Sequence, residues 1–294
     1  MNRRSMLALM ASWGAVQPSR SAAADGRLIW GFPPGAIGTT LAQAMLQGTG
    51  DAMGVNYKLE VVTGASARKS AELVRQAPAD GLTLLQAQSA LVSLFPATYK
   101  SLKYSPLEDF LPIANLGRYS FALTVGPAVP KDVLTLDDYL SWAMDNPDFR
   151  NFGVVLNGSQ GYIAGTEIAR QKGVAIKPVV FSGTSPLMKD MLAGDIAAGF
   201  TVIGNNQGDF ASGQLRMLAV TCSHRWRALP NVPTLKESGI EGMDLDGWYG
   251  WFAPAGIGIQ RASELSEKVY AIAEGPGLKA LRKQILLEDP GHPS

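Results

Sequence analysis

The stretch Trp30-Gly-Phe-Pro-Pro-Gly-Ala-Ile-Gly-Thr-Thr-Leu-Ala-Gln43 constrains this chain more than any other. Residues 28–30 read as the end of a short buried strand. Residues 41–47 read as a helix that Thr39 or Thr40 caps. Between them Gly35 and Gly38 mark a tight turn whose backbone takes positive φ and can approach a ligand closely. A strand feeding such a turn aims the free N–H groups of a helix start, and the positive end of its dipole, at one spot. That seats a carboxylate or a phosphate. A single turn of this kind is equally a plain connection that binds nothing, so recurrence matters.

The device recurs downstream. Residues 58–62 read as a second strand, followed by the small-residue loop 64–70 and a helix over 71–76. That loop lacks the second glycine and the spacing of a nucleotide phosphate loop. Residues 82–85 form a third strand that ends at Ser89, and residues 151–156 form another that enters Asn157-Gly-Ser-Gln-Gly161 and a helix over 162–171. Residues 179–181 lead into Ser182-Gly-Thr-Ser185 and a helix with Pro186 at its first position. Thr135 caps a further helix with Asp137 and Asp138 in its first turn. Strands over 196–201 and 217–221 and helices over 264–274 and 277–287 complete an α/β pattern with largely parallel sheets. Residues 121–125 and 248–253 read as extended crossings between two α/β units, with Trp248 and Trp251 sharing one face beside the hinge. Ligands of such sheets sit in the crevice at the carboxyl ends of the strands.

A chain of 294 residues suits two domains. Arg3 and Arg4 before the short apolar run 6–16, with Ala22-Ala23-Ala24 behind it, describe a secretory signal peptide over residues 1–24, of general or twin-arginine type. Cleavage removes Arg3, Arg4 and Arg20 but no acid, leaving a near-neutral chain without the basic footprint of a nucleic-acid binder. Cys222 has no partner for a disulfide and reads as a buried strand-end thiol. Only His224 and His292 exist, so neither a metal nor another cofactor is expected. Residues 157–161 are placed like a nucleophile elbow, yet Asn157 stands where its first glycine belongs and Ser159 has no positioned base. A hydrolase is therefore disfavoured, and no enzyme is expected.

Between residues 28 and 287 the sequence resembles the Bug-type (TctC-like) periplasmic solute-binding proteins of tripartite tricarboxylate transporters. The resemblance is carried by Phe32-Pro-Pro-Gly35, Pro78-Ala-Asp-Gly-Leu-Thr-Leu-Leu85, Tyr104-Ser-Pro-Leu-Glu-Asp-Phe110 and Asn157-Gly-Ser159. Gly213-Gln-Leu-Arg-Met-Leu-Ala-Val-Thr221, Leu229-Pro-Asn-Val-Pro-Thr-Leu235 and Phe252-Ala-Pro-Ala-Gly256 are the most specific matches. It implies a two-domain, type II "Venus flytrap" that closes on a small carboxylate and passes it to a membrane permease, or in a sensor to a signalling partner. Residues 25–124 and 250–294 would form the first domain and 125–249 the second, in a periplasmic monomer.

One half-site would comprise Phe32, Ile37, Gly38, Thr39, Ala65, Ser66, Ala67 and Ser89. The other would comprise Gly158, Ser159, Gln160, Tyr162, Gly183, Thr184 and Thr201. The departures are informative. Thr39 and Thr201 stand where the family has acids, Gln43 where it has Arg, Ser66-Ala67 where it has paired glycines, and Tyr162 where a His is common. Losing two acids removes partners for a ligand ammonium, which favours a plain or aromatic carboxylate over an amino acid. Residues 287–294 stop short of the family's last strand and helix.

Overall fold

The computed structural model describes residues 24–290, so residues 1–23 of the expected signal peptide, and His292, lie outside the described residues. The chain runs β1 (Ala24–Trp30), α1 (Ile37–Met53), β2 (Val55–Val61), α2 (Arg68–Arg75) and β3 (Thr83–Gln88). Short helices α3 (Phe95–Thr98) and α4 (Pro106–Asp109) precede β4 (Phe110–Tyr119) and β5 (Phe121–Val125). Then follow α5 (Leu136–Asp145), β6 (Asn151–Val154), α6 (Gln160–Lys172), β7 (Lys177–Val180), α7 (Thr184–Ala193) and β8 (Ala198–Val202). The last elements are α8 (Gln207–Ala211), β9 (Arg216–Val220), β10 (Gly247–Pro254), α9 (Ile259–Ala273) and α10 (Pro276–Gln284).

These strands build two five-stranded sheets, β2-β1-β3-β10-β4 and β7-β6-β8-β5-β9. Each carries one reversed strand, β10 in the first and β5 in the second, antiparallel to both neighbours. The reason is topological. The reversed strand enters from the other lobe, whereas β1, β2 and β3, like β6, β7 and β8, return through βαβ units as parallel neighbours. The carboxyl ends of the two sheets therefore face a common cleft. The expected domain limits cut through strands, since 124/125 falls inside β5 and 249/250 inside β10, each paired along its length within one sheet.

Local chemistry accounts for several boundaries. Thr135 caps α5 as expected: its Oγ1 accepts from the Asp138 N–H at 3.1 Å while the Asp138 carboxylate accepts from the Thr135 N–H at 3.0 Å. Pro186 sits third rather than first in α7, which begins at Thr184. Trp248 and Trp251 lie on opposite faces of β10, because residues three apart on a period-two strand cannot share one. Trp248 packs on Phe252 (ring centroids 6.0 Å apart), while Trp251 Nε1 donates to Gln86 Oε1 at 3.0 Å.

The crossing point is aromatic. Tyr119 sits 4.7 Å from Tyr249 and 5.5 Å from Phe121 between ring centroids, and Trp30 sits 4.8 Å from Phe32. Such pairs add about 0.5–1.5 kcal/mol each beyond area burial. Behind α10, Glu288 exchanges two backbone hydrogen bonds with Arg118 on the edge strand β4.

Candidate functional site

The loop after β1 leads straight into α1, whose helical turns begin at Ile37 with Ala36 in extended backbone at the cap. Thr39 and Thr40 lie inside the first turn and do not cap it, contrary to expectation. The acceptor comes from the other lobe: the Ile37 N–H donates to Asn205 Oδ1 at 3.1 Å. Gly38 is helical rather than left-handed. A Cβ there would lie 2.4 Å from the Trp30 ring, so glycine is required for close packing. The Gly38 carbonyl accepts from Gln86 Nε2 at 2.7 Å, and the Thr39 hydroxyl is buried without a partner.

The second loop is strained. Ala65, Ser66 and Ala67 all take left-handed conformations, with φ of 51°, 55° and 64°. Each costs about 1–2 kcal/mol for a residue with a Cβ. Three contacts hold the turn: Arg68 Nε donates to the Ala65 carbonyl (2.8 Å), Ser70 Oγ donates to the Ala67 carbonyl (2.6 Å), and the Arg68 guanidinium lies 3.9 Å over the Tyr99 ring.

In the third loop Gly158 has φ of 76° and abuts Thr98, where an added Cβ would meet Oγ1 at 2.8 Å. Ser159 caps α6: its Oγ accepts from the Tyr162 N–H (3.3 Å) and donates to the Leu156 carbonyl (2.9 Å). That hydroxyl is buried and fully engaged, which removes the nucleophile reading. Gln160 Nε2 donates to Ser89 Oγ at 2.8 Å, and the Tyr99 hydroxyl donates to the Asn157 carbonyl at 3.0 Å, so both bonds cross between lobes. Gly183 packs against Pro33.

Two cavities lie along this junction. An outer cleft of ≈ 600 Å³ is walled by Phe32, Ala65, Ser66 and Ala67 from one lobe and by Val155 and Phe181 from the other. An inner pocket of ≈ 10 Å³ is walled by Trp30, Phe32, Gln88 and Tyr249 together with Val155, Thr184, Phe200 and Thr201. Neither wall contains a charged side chain. Burial pushes the Tyr249 phenol well up, so it stays neutral.

The structure thus brings Phe32, Ala65, Ser66, Ala67, Thr184 and Thr201 to cavity walls. It places Ile37, Gly38, Thr39, Ser89, Gly158, Ser159 and Gln160 in the buried packing beside them. Gly183 packs the lobe contact without lining a cavity. Tyr162, in the first turn of α6, lines neither cavity. Trp30, Gln88, Val155, Asn205 and Tyr249 were not anticipated. Gln88 directly precedes Ser89 at a strand end, a position that faces the crevice, and was the most findable. Among the described residues no three His, Cys, Asp or Glu stand close enough to hold a metal.

A family model described as the tripartite tricarboxylate transporter family receptor matches residues 42–281. The chain belongs to this receptor family. Its members are periplasmic solute-binding proteins and not enzymes. Protein BugT of Bordetella pertussis is 27% identical to this receptor over 231 residues, covering 78% of this chain and 70% of that protein. The solved structure "R. palustris Rpa4515 with adipate" superposes with a TM-score of 0.83 at 25% identity, covering 90% of this receptor and 88% of that chain. "MatC (Rpa3494) from Rhodopseudomonas palustris with bound malate" superposes at 0.82 with 24% identity, covering 91% and 90%, and shares the fold. The receptor has the two-lobed flytrap architecture of these neighbours. No helix among its described residues is long and apolar enough to cross a membrane.

Proposed function

We propose that this receptor captures a small organic carboxylate between its lobes and delivers it to a tripartite tricarboxylate-type permease. One observation carries the reading: a single cleft is walled by loops at the carboxyl ends of both sheets, and the hydrogen bonds from Ile37 to Asn205 and from Gln160 to Ser89 tie those loops across it. A ligand touching both walls shifts the population towards this closed arrangement. The adipate and malate in the two neighbouring structures are small carboxylates, which supports the ligand class. The lobe built on β1–β4 and β10 would move as one body against the lobe built on β5–β9, and residues 1–24 would direct export.

Neither cavity wall carries a carboxylate, so a ligand ammonium would be desolvated without a counter-charge. A plain carboxylate is favoured over an amino acid. Thermal shift of the purified exported chain against di-, tri- and aromatic carboxylates, with amino acids as controls, tests this. A ligand specific to the folded state adds about 2.7 kcal/mol at a hundred times its Kd. Stabilisation by one carboxylate class is expected; tighter binding of aspartate or glutamate than of every other carboxylate would overturn the preference.

A further inference from the structure

Resting on that carboxylate-binding reading, we infer that the ligand is a monocarboxylate whose far end carries a single hydroxyl. The inner pocket sets the size. Its ≈ 10 Å³ is about the space that one water-sized oxygen needs. The pocket lies beside the outer cleft, with Phe32 and Val155 lining both. A ligand whose body lies in the outer cleft therefore places its tip there.

The unmet hydrogen bonds set the chemistry. Trp30 Nε1, a donor, and Gln88 Oε1, an acceptor, are both buried without a partner, and both residues line the pocket. Several other polar atoms on that wall are engaged. Thr201 Oγ1 lies 3.3 Å from Thr124 Oγ1, Asn205 Oδ1 holds the Ile37 N–H, and Gln88 Nε2 donates to the Tyr249 hydroxyl at 3.3 Å.

This unpaired donor and acceptor, on two residues that wall a single-oxygen space, match a hydroxyl, which accepts from the indole and donates to the amide. A second carboxylate fits worse. It brings two acceptor oxygens and a charge to a single-oxygen space whose wall holds no cation. A terminal methyl leaves both buried groups unpaired.

Titration calorimetry of the full exported chain with matched acids tests the inference. The probes are 6-hydroxyhexanoate, hexanoate and adipate, and 4-hydroxybenzoate, benzoate and terephthalate. In whichever series binds, the hydroxy acid is expected to bind at least about tenfold tighter than both its relatives. Gln88→Leu should reduce its affinity to that of the plain acid, and Trp30→Phe should do the same through the donor. Unchanged thermal cooperativity in either variant is sufficient for the comparison. Equal affinity of hydroxy and plain acids, or tightest binding of a dicarboxylate, overturns the hydroxyl assignment and leaves carboxylate capture standing. Absence of binding by every carboxylate in the wider panel overturns the parent reading and this inference with it.

Discussion

Asn205 caps a helix in the other lobe: its Oδ1 accepts the Ile37 N–H at 3.1 Å across 168 residues of sequence. The first N–H groups of any helix need partners from outside it. Here one partner is present only while the lobes are together, so helix capping and lobe closure are the same contact.

Asn205→Ala leaves the Ile37 N–H buried and unpaired in the closed form, a loss of about 1–2 kcal/mol. The variant should bind carboxylate roughly tenfold more weakly while the unliganded protein melts within a degree or two of the parent. Calorimetry and a thermal melt read the two effects separately. Equal affinity would mean the bond does not contribute to closure.

The left-handed turn at residues 65–67 stores strain in side chains that glycine would not have. Ser66→Gly and Ala67→Gly should each stabilise the protein by about 1 kcal/mol. That raises Tm by about 2–4 °C per substitution in a chain of this size. A lower Tm would mean that the extra freedom of the unfolded glycine outweighs the strain relieved.

How much of this was readable beforehand follows from where each signal resides. The strand–loop–helix order and the Thr135 capping box are local patterns, and both are present where the sequence puts them. The start of α1 was missed because its capping acceptor is 168 residues away, a contact that no window of sequence contains. The faces of Trp248 and Trp251 follow from strand periodicity and needed only correct counting. Ser66 and Ala67 were placed in the loop, but their left-handed backbone is imposed by the Arg68 and Ser70 contacts rather than by their own preferences. Trp30 and Tyr249 look like ordinary core aromatics in sequence, and only the meeting of the two sheets turns them into cavity walls.

Burial raises the Cys222 thiol above its ordinary value of 9.0, and the Tyr119 and Tyr249 phenols above 10.0. The unfolded chain ionises these groups at the ordinary values while the folded chain keeps them protonated. Their contribution is fully present below those values and falls as pH rises through them, since the unfolded state then binds fewer protons. Urea melts between about pH 7 and about pH 10.5 should show the midpoint dropping at the alkaline end. Native Cys222 should resist iodoacetamide near neutrality and react once urea unfolds the chain. Rapid labelling of the folded protein would contradict its burial.

The claim that matters most is that ligand occupies the cleft between the lobes. Val155 lines both cavities and is half-buried, so Val155→Trp pushes an indole into the space at their shared wall, with little disturbance of the core. The measurement is calorimetric titration of this variant beside the parent, using whichever carboxylate stabilises the parent most. Ser182→Trp, at an exposed position on the outer wall, serves as a second obstruction. The account predicts a folded protein with no measurable binding heat in the Val155 variant. Parent-like affinity in both folded variants would place the ligand elsewhere on the molecule.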